Sequence, residues 1–261
     1  MIERLSRRQA LWGMAIGATS VALPNAKARA ADPPATPTPA TLQPAAATQS
    51  PGTCTLVPQA VEGPFYFDPK LVRRDITGGR PGVPLRLDLT IIEQGPCTPI
   101  ADARVDVWHS DARGVYSGYR GQGDDGTTSA EGESYLRGTQ MTDGDGRVVF
   151  DTIFPGWYPG RTAHIHVKVF LDTKTVLTGQ LYFPDALAAR IYAEAVDYRS
   201  RGTQDTTNDR DFIFRAAGPD GGGTVLATTR SDGGVTAALT IAVDRTGDAA
   251  RGRSWLDGVW R

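Results

Sequence analysis

From residue 84 onward, apolar side chains recur at every second position in short runs. Pro84–Glu93 alternates Leu85, Leu87, Leu89 and Ile91 with Arg86, Asp88 and Thr90. Ala103–Asp111 carries Val105 and Val107, and Arg147–Phe154 follows the tight stretch Asp143-Gly144-Asp145-Gly146. Residues 162–171, Thr175–Phe183, Asp211–Arg215, Thr224–Thr229 and Val235–Asp244 extend the series. Period-two alternation puts one set of side chains on one face of a strand. Many such runs, punctuated by Gly, Pro and Asp, predict an all-β fold: an antiparallel β-sandwich. One short helix is expected where Asp185 precedes Ala186–Ala195, a segment of helix-forming residues that Asp185 would cap. Thirty glycines and eighteen prolines suit long ordered loops. The Asp143 stretch reads as a hairpin turn and not a calcium loop, since the later acidic ligands are absent. Gly118, Gly121 and Gly123 do not sit between a strand and a helix, which excludes a phosphate loop.

The first residues break the pattern. Ser6-Arg7-Arg8-Gln9-Ala10-Leu11, an apolar stretch from Leu11 to Leu23, and the small-x-small site Ala28-Arg29-Ala30 predict a twin-arginine-type signal peptide over 1–30. A general secretory signal is the alternative; either is too short to span a bilayer. Residues 31–52 are nearly all Ala, Pro, Thr, Gln and Ser and predict a disordered linker ahead of a domain at 53–261. Cleavage would remove Arg4, Arg7, Arg8, Lys27 and Arg29 against Glu3, moving the formal charge from −1 to −5. An acidic exported protein, periplasmic or extracellular, without a basic cluster, argues against nucleic acid and anionic membranes as partners. In an oxidising compartment Cys54 and Cys97, the only cysteines, are expected to pair, closing a loop worth about 4 kcal/mol; two free thiols, or metal ligands, are the other readings.

Of three histidines, two stand in His164-Ile165-His166, inside the run 162–171. Residues i and i+2 of a strand share a face at ~6.7 Å along the chain, so both imidazoles can converge on one metal ion. The same pair could simply make a polar face. Tyr158 lies in a turn built by Gly156, Pro159 and Gly160, and Tyr116 lies just past the end of another run. If strand ends meet, the site holds two imidazoles and two phenols. A phenol ionises near pH ~10, so binding as phenolate requires a strongly charged cation. Anionic oxygen with imidazole, and no thiolate, favours Fe(III) over zinc. Tyr119 and Tyr135 compete with Tyr116 for that role, and His109 reads as a packed core residue.

The chain resembles the intradiol ring-cleavage dioxygenases over roughly residues 53–245. The resemblance is carried by Val61-Glu62-Gly63-Pro64-Phe65-Tyr66, Val105-Asp106-Val107-Trp108-His109-Ser110-Asp111, Gly114-Val115-Tyr116-Ser117, Thr142-Asp143-Gly144-Asp145-Gly146, Pro155-Gly156-Trp157-Tyr158-Pro159, Arg161-Thr162-Ala163-His164-Ile165-His166 and Thr178-Gly179-Gln180-Leu181-Tyr182-Phe183. It is closest to an exported, single-chain branch with a short Gly-Trp-Tyr-Pro-Gly-Arg turn. The resemblance implies Fe(III) held by Tyr116, Tyr158, His164 and His166, with Arg161 and Gln180 facing the substrate ring. Gly63, Pro64 and Phe65 match the pocket mouth. It implies a reaction in which a small aromatic diol displaces Tyr158 and reacts with O2 to give a cis,cis-muconic acid. A non-catalytic exported β-sandwich binding module, and a zinc or copper protein using the histidines alone, are the competing readings. The preferred catechol and the oligomeric state have no signature in the sequence.

Overall fold

The computed structural model describes residues 57–217 and 223–246. Cys54 and the residues expected as signal peptide and linker lie outside them. The strands are β1 (Pro84–Glu93), β2 (Arg104–Trp108), β3 (Arg137–Met141), β4 (Arg147–Ile153), β5 (His164–Leu171), β6 (Lys174–Tyr182), β7 (Leu226–Thr229) and β8 (Val235–Val243). They form two four-stranded sheets, ordered β4-β1-β8-β7 and β3-β2-β5-β6. Leu85, Leu87, Leu89 and Ile91 from the first sheet and Val105, Val107, Ile165, Val167 and Val169 from the second are buried in one core cluster. The expected sandwich is present, with its alternating apolar residues inside.

Four details of the strands and turns depart from the sequence reading. The sandwich is not wholly antiparallel: β1 and β8 pair in parallel from Leu85↔Val235 to Glu93↔Val243. Parallel neighbours need a long crossover, and the intervening chain, which builds the whole second sheet, supplies it. Strand β3 was not expected, because Arg137-Gly138-Thr139-Gln140-Met141 lacks apolar alternation; at Gly138 a Cβ would meet Ile76 Cγ2 at 2.5 Å. Residues 211–215, expected as a strand, open the short helix α2 (Phe212–Ala216), started by Asp211, whose carboxylate accepts from the Ile213 and Phe214 amides. Five residues are too few for period two to be told from a helical turn. The Asp143 stretch is a turn but not a hairpin, since it hands the chain from β3 in one sheet to β4 in the other.

The expected helix is α1 (Asp185–Glu194), which begins after Pro184 without a side-chain cap. Asp185 is instead its first residue, and its carboxylate accepts from the Asn208 amide at 3.1 Å, tying the following loop to the helix. None of the helices among the described residues is long and apolar enough to cross a membrane.

The outer face of the second sheet carries the site. Antiparallel register aligns Arg137 with Trp108, Trp108 with His166, and His166 with Gln180. This row lies opposite the sandwich core, yet all four residues are buried. The N-terminal segment and the loops after β2 and β4 cover it. Gln59 and Ala60 bond to the free edge of β6, with the Ala60 amide donating to the Thr178 carbonyl at 2.8 Å. Tyr66 then crosses to Trp108, ring centroids 4.7 Å apart.

Candidate metal centre

β5 places His164 and His166 on this covered face, 2 % exposed each. Their ring centroids are 4.9 Å apart. His164 Nδ1 lies 2.7 Å from the Thr162 carbonyl. A carbonyl can only accept, so Nδ1 carries the proton and the Nε2 lone pair is free. That nitrogen faces the Tyr158 hydroxyl at 3.0 Å and the Tyr116 hydroxyl at 3.3 Å. His166 Nε2 lies 3.2 Å from the Tyr116 hydroxyl, its ring stacked on Trp108 at 4.7 Å and 13°.

Two loops deliver the phenols. The turn before β5 presents Tyr158, and Gly156 allows it, because a Cβ there would stand 2.3 Å from the Asp111 carbonyl. Tyr116 follows β2 in the other loop and is held by Gln122. The Gln122 side chain accepts from the Tyr116 amide at 2.7 Å and donates to the Tyr116 carbonyl at 2.5 Å. Beside it Arg137, 1 % exposed, donates to the Ser117 hydroxyl and carbonyl, each at 2.8 Å. Gln122 and Arg137 gave no signal in the sequence, since neither belongs to a motif or a periodic face.

The competing residues are engaged elsewhere. Tyr119 donates its hydroxyl to the Tyr66 carbonyl at 2.9 Å. The Tyr135 ring packs under the Arg80 guanidinium at 4.3 Å. His109 has both ring nitrogens occupied, by the Ser110 carbonyl and the Thr152 hydroxyl, each at 2.8 Å. It is packed core, as its sequence context suggested.

Arg161 reaches the cluster from the turn. One terminal nitrogen lies 3.3 Å from the Tyr158 hydroxyl and the other donates to Gln180 Oε1 at 2.5 Å. Its Nε pairs with Asp211 at 2.8 Å, and that carboxylate is fully buried. Asp211 also accepts from the Thr162 amide at 3.0 Å, so one acid orients Arg161, anchors the start of β5 and begins α2. Sequence reading missed it; its position before a short helix was the available cue. Of the expected pocket-mouth residues, Phe65 stacks on Tyr116 at 4.6 Å and 21°. A Cβ on Gly63 would touch His166 Cε1 at 3.4 Å, and Pro64 is exposed in the same turn.

Burial dominates the electrostatics. It pushes the Tyr116 phenol well up, helped by Tyr158, and pushes Tyr158 up against the pull of Arg161. It pushes both imidazoles well down, and Arg161 adds to the effect. The four donors are therefore neutral as they stand. Their 3.0–3.3 Å contacts are the spacing of neighbouring donors bound at roughly 2 Å to one ion. Among the described residues no group of three or more His, Cys, Asp or Glu could hold a metal, so an ion at the histidines would take its anionic ligands from the phenols. A strongly charged cation suits that donor set.

Residues 60–215, more than half of the chain, match a family model described as Dioxygenase. Catechol 1,2-dioxygenase 1 from Acinetobacter lwoffii is 29% identical over 147 residues, which is 47% of this chain and 45% of that protein. The protocatechuate 3,4-dioxygenase beta chain of Burkholderia cepacia is 31% identical over 158 residues, 57% of this chain and 62% of that one. The chain thus spans about half the length of the curated relatives it matches. The solved structure of an intradiol ring-cleavage dioxygenase from Tetranychus urticae aligns with a TM-score of 0.65 at 29% identity, covering 73% of this chain and 95% of that one. The family match encloses both sheet-face histidines, both site tyrosines, Arg161, Gln180 and Asp211. By this match and by its fold, the chain belongs to the intradiol ring-cleavage dioxygenase family.

Proposed function

We propose that this protein is a non-haem Fe(III)-dependent dioxygenase that cleaves catechol-type diols with O2 to cis,cis-muconic acids. The observation that carries the reading is the meeting of two imidazoles and two phenols, buried over one sheet face, with the Arg161 guanidinium beside them. Tyr116, Tyr158, His164 and His166 would hold the ion. When bound, ferric iron would supply a Lewis acid that acidifies the diol and activates its ring toward O2.

The rest falls to the chain. Tyr158 lies at the boundary, in contact with His164 and also lining, with Phe65, a cleft of about 170 Å³. As phenolate it accepts a proton from an incoming diol, and burial favours the neutral phenol that results. Arg161, fixed by Asp211 and Gln180, presents a positive charge that needs no reorganisation as negative charge builds on the ring. Phe65 and Trp108 pack against Tyr116 and His166 and keep water from these ligands.

The same reading includes export through the twin-arginine signal and a Cys54–Cys97 bridge. Purified protein is expected to contain iron, to show the red-brown band of phenolate-to-ferric charge transfer, and to convert catechol to a muconate absorbing in the ultraviolet. A colourless, iron-loaded protein that leaves every diol in a catechol panel intact would sink the proposal.

A further inference from the structure

Asp124 and Arg201 line the same cleft as Tyr158, together with Gly121, Gln122 and Gly123. The two charged residues are unequal. Arg201 has an 11% exposed side chain, lies over the Trp157 ring at 4.6 Å, and keeps a buried Nε without a hydrogen-bond partner. Asp124, which pairs with it at 2.9 Å, is 66% exposed. The cation is thus fixed in the wall by stacking and burial, while its carboxylate partner stands in solvent on a glycine-flanked turn and can leave at little cost.

From this asymmetry we infer that Arg201 is a specificity-determining residue for aromatic diols bearing an anionic ring substituent, and that Asp124 occupies the substituent's place until substrate arrives. The inference rests on the dioxygenase reading, which puts the diol end of the ring at Tyr158. Replacing one carboxylate by another leaves the charge around Arg201 unchanged, so the guanidinium meets no new desolvation cost. A planar carboxylate also suits the guanidinium fork, including the unused Nε. An uncharged substituent gains nothing comparable and must leave the Asp124–Arg201 pair in place or strand the cation.

The test compares 3,4-dihydroxybenzoate with 4-methylcatechol as substrates for the iron-loaded wild type, Arg201→Gln, Arg201→Lys and Asp124→Asn. A second arm measures calorimetric binding of the uncleavable pair 4-hydroxybenzoate and 4-methylphenol. Arg201→Gln should lower the kcat/KM ratio of carboxylated over methylated diol by about 10–100-fold, the worth of one charge-assisted contact. Arg201→Lys should retain part of the preference, and Asp124→Asn should raise it about threefold or more by removing the competing carboxylate. Binding of 4-hydroxybenzoate should follow the same order. A ratio unmoved by Arg201→Gln in protein of native Tm, or one lowered by Asp124→Asn, overturns the proposal. If the wild type cleaves neither diol, the dioxygenase reading fails, and the binding arm alone decides whether Arg201 reads the anion.

Discussion

Arg161 divides its guanidinium between structure and chemistry, with Nε on Asp211 and the terminal nitrogens toward Tyr158 and Gln180. Arg161→Leu removes a fixed charge, which typically costs about 10²–10³ in turnover. It also strands the buried Asp211 carboxylate, at about 3–5 kcal/mol of stability. The pair Arg161→Leu with Asp211→Asn separates the effects: iron content and resting colour should persist, while single-turnover reaction of the catechol complex with O2 stays slow. A rate within twofold of wild type would remove Arg161 from the mechanism. His164→Ala should lose iron, whereas Tyr158→Phe should keep it with a shifted visible band; metal analysis and absorbance distinguish them. His109 gives a pH prediction. Burial pushes its pKa down to about 4, while in the unfolded chain it titrates near ~6.5. Between these values the unfolded chain takes up a proton that the fold refuses, so stability present above pH ~6.5 is lost as pH falls toward 4, by about 3 kcal/mol in all. Denaturation curves of wild type and His109→Gln should differ in slope across that window, and parallel slopes would refute the assignment.

At the scale of elements, β5 shows how far local pattern reaches. Alternation along Thr162–Leu171 marks the strand and puts both histidines on one face. It does not show that this outer face is buried, because the cover comes from residues 57–67 and from loops about 50 positions away. The loop after β2 depends on Gln122, whose side chain pairs with both backbone groups of Tyr116. Gln122→Leu leaves that amide and carbonyl unsatisfied inside the site, at about 1–3 kcal/mol each. A lower Tm and faster iron loss to a chelator are expected, and unchanged iron retention would show that Tyr116 is held by other means. Strands β1, β4, β5 and β6 were legible because their apolar faces alternate. β3 was not, since its edge position is set by pairing with β2 and by close approach of Ile76 at Gly138.

For the whole molecule, the sandwich joins turns and strand ends that are far apart in sequence, and the site lies where they meet. The export proposal belongs at this scale too. Replacing Arg7 and Arg8 by lysine should strand precursor in the cytoplasm if the twin-arginine route is used, and normal export of that variant, followed by fractionation and immunoblot, would point to the general route. The sequence by itself determined the strands with alternating faces, the His164–His166 geometry and the motif order that marks the family. These are local properties, written in periods of two and in short spacings. Only the tertiary structure decided that Tyr119 and Tyr135 are engaged away from the histidines, that Asp211 fixes Arg161, that β8 runs parallel to β1, and that Arg201 and Tyr158 line one cleft. Each of these depends on which strands become neighbours and which loops cover them. That choice is made by burial and hydrogen-bond satisfaction summed over both sheets, and no short window of the chain contains it.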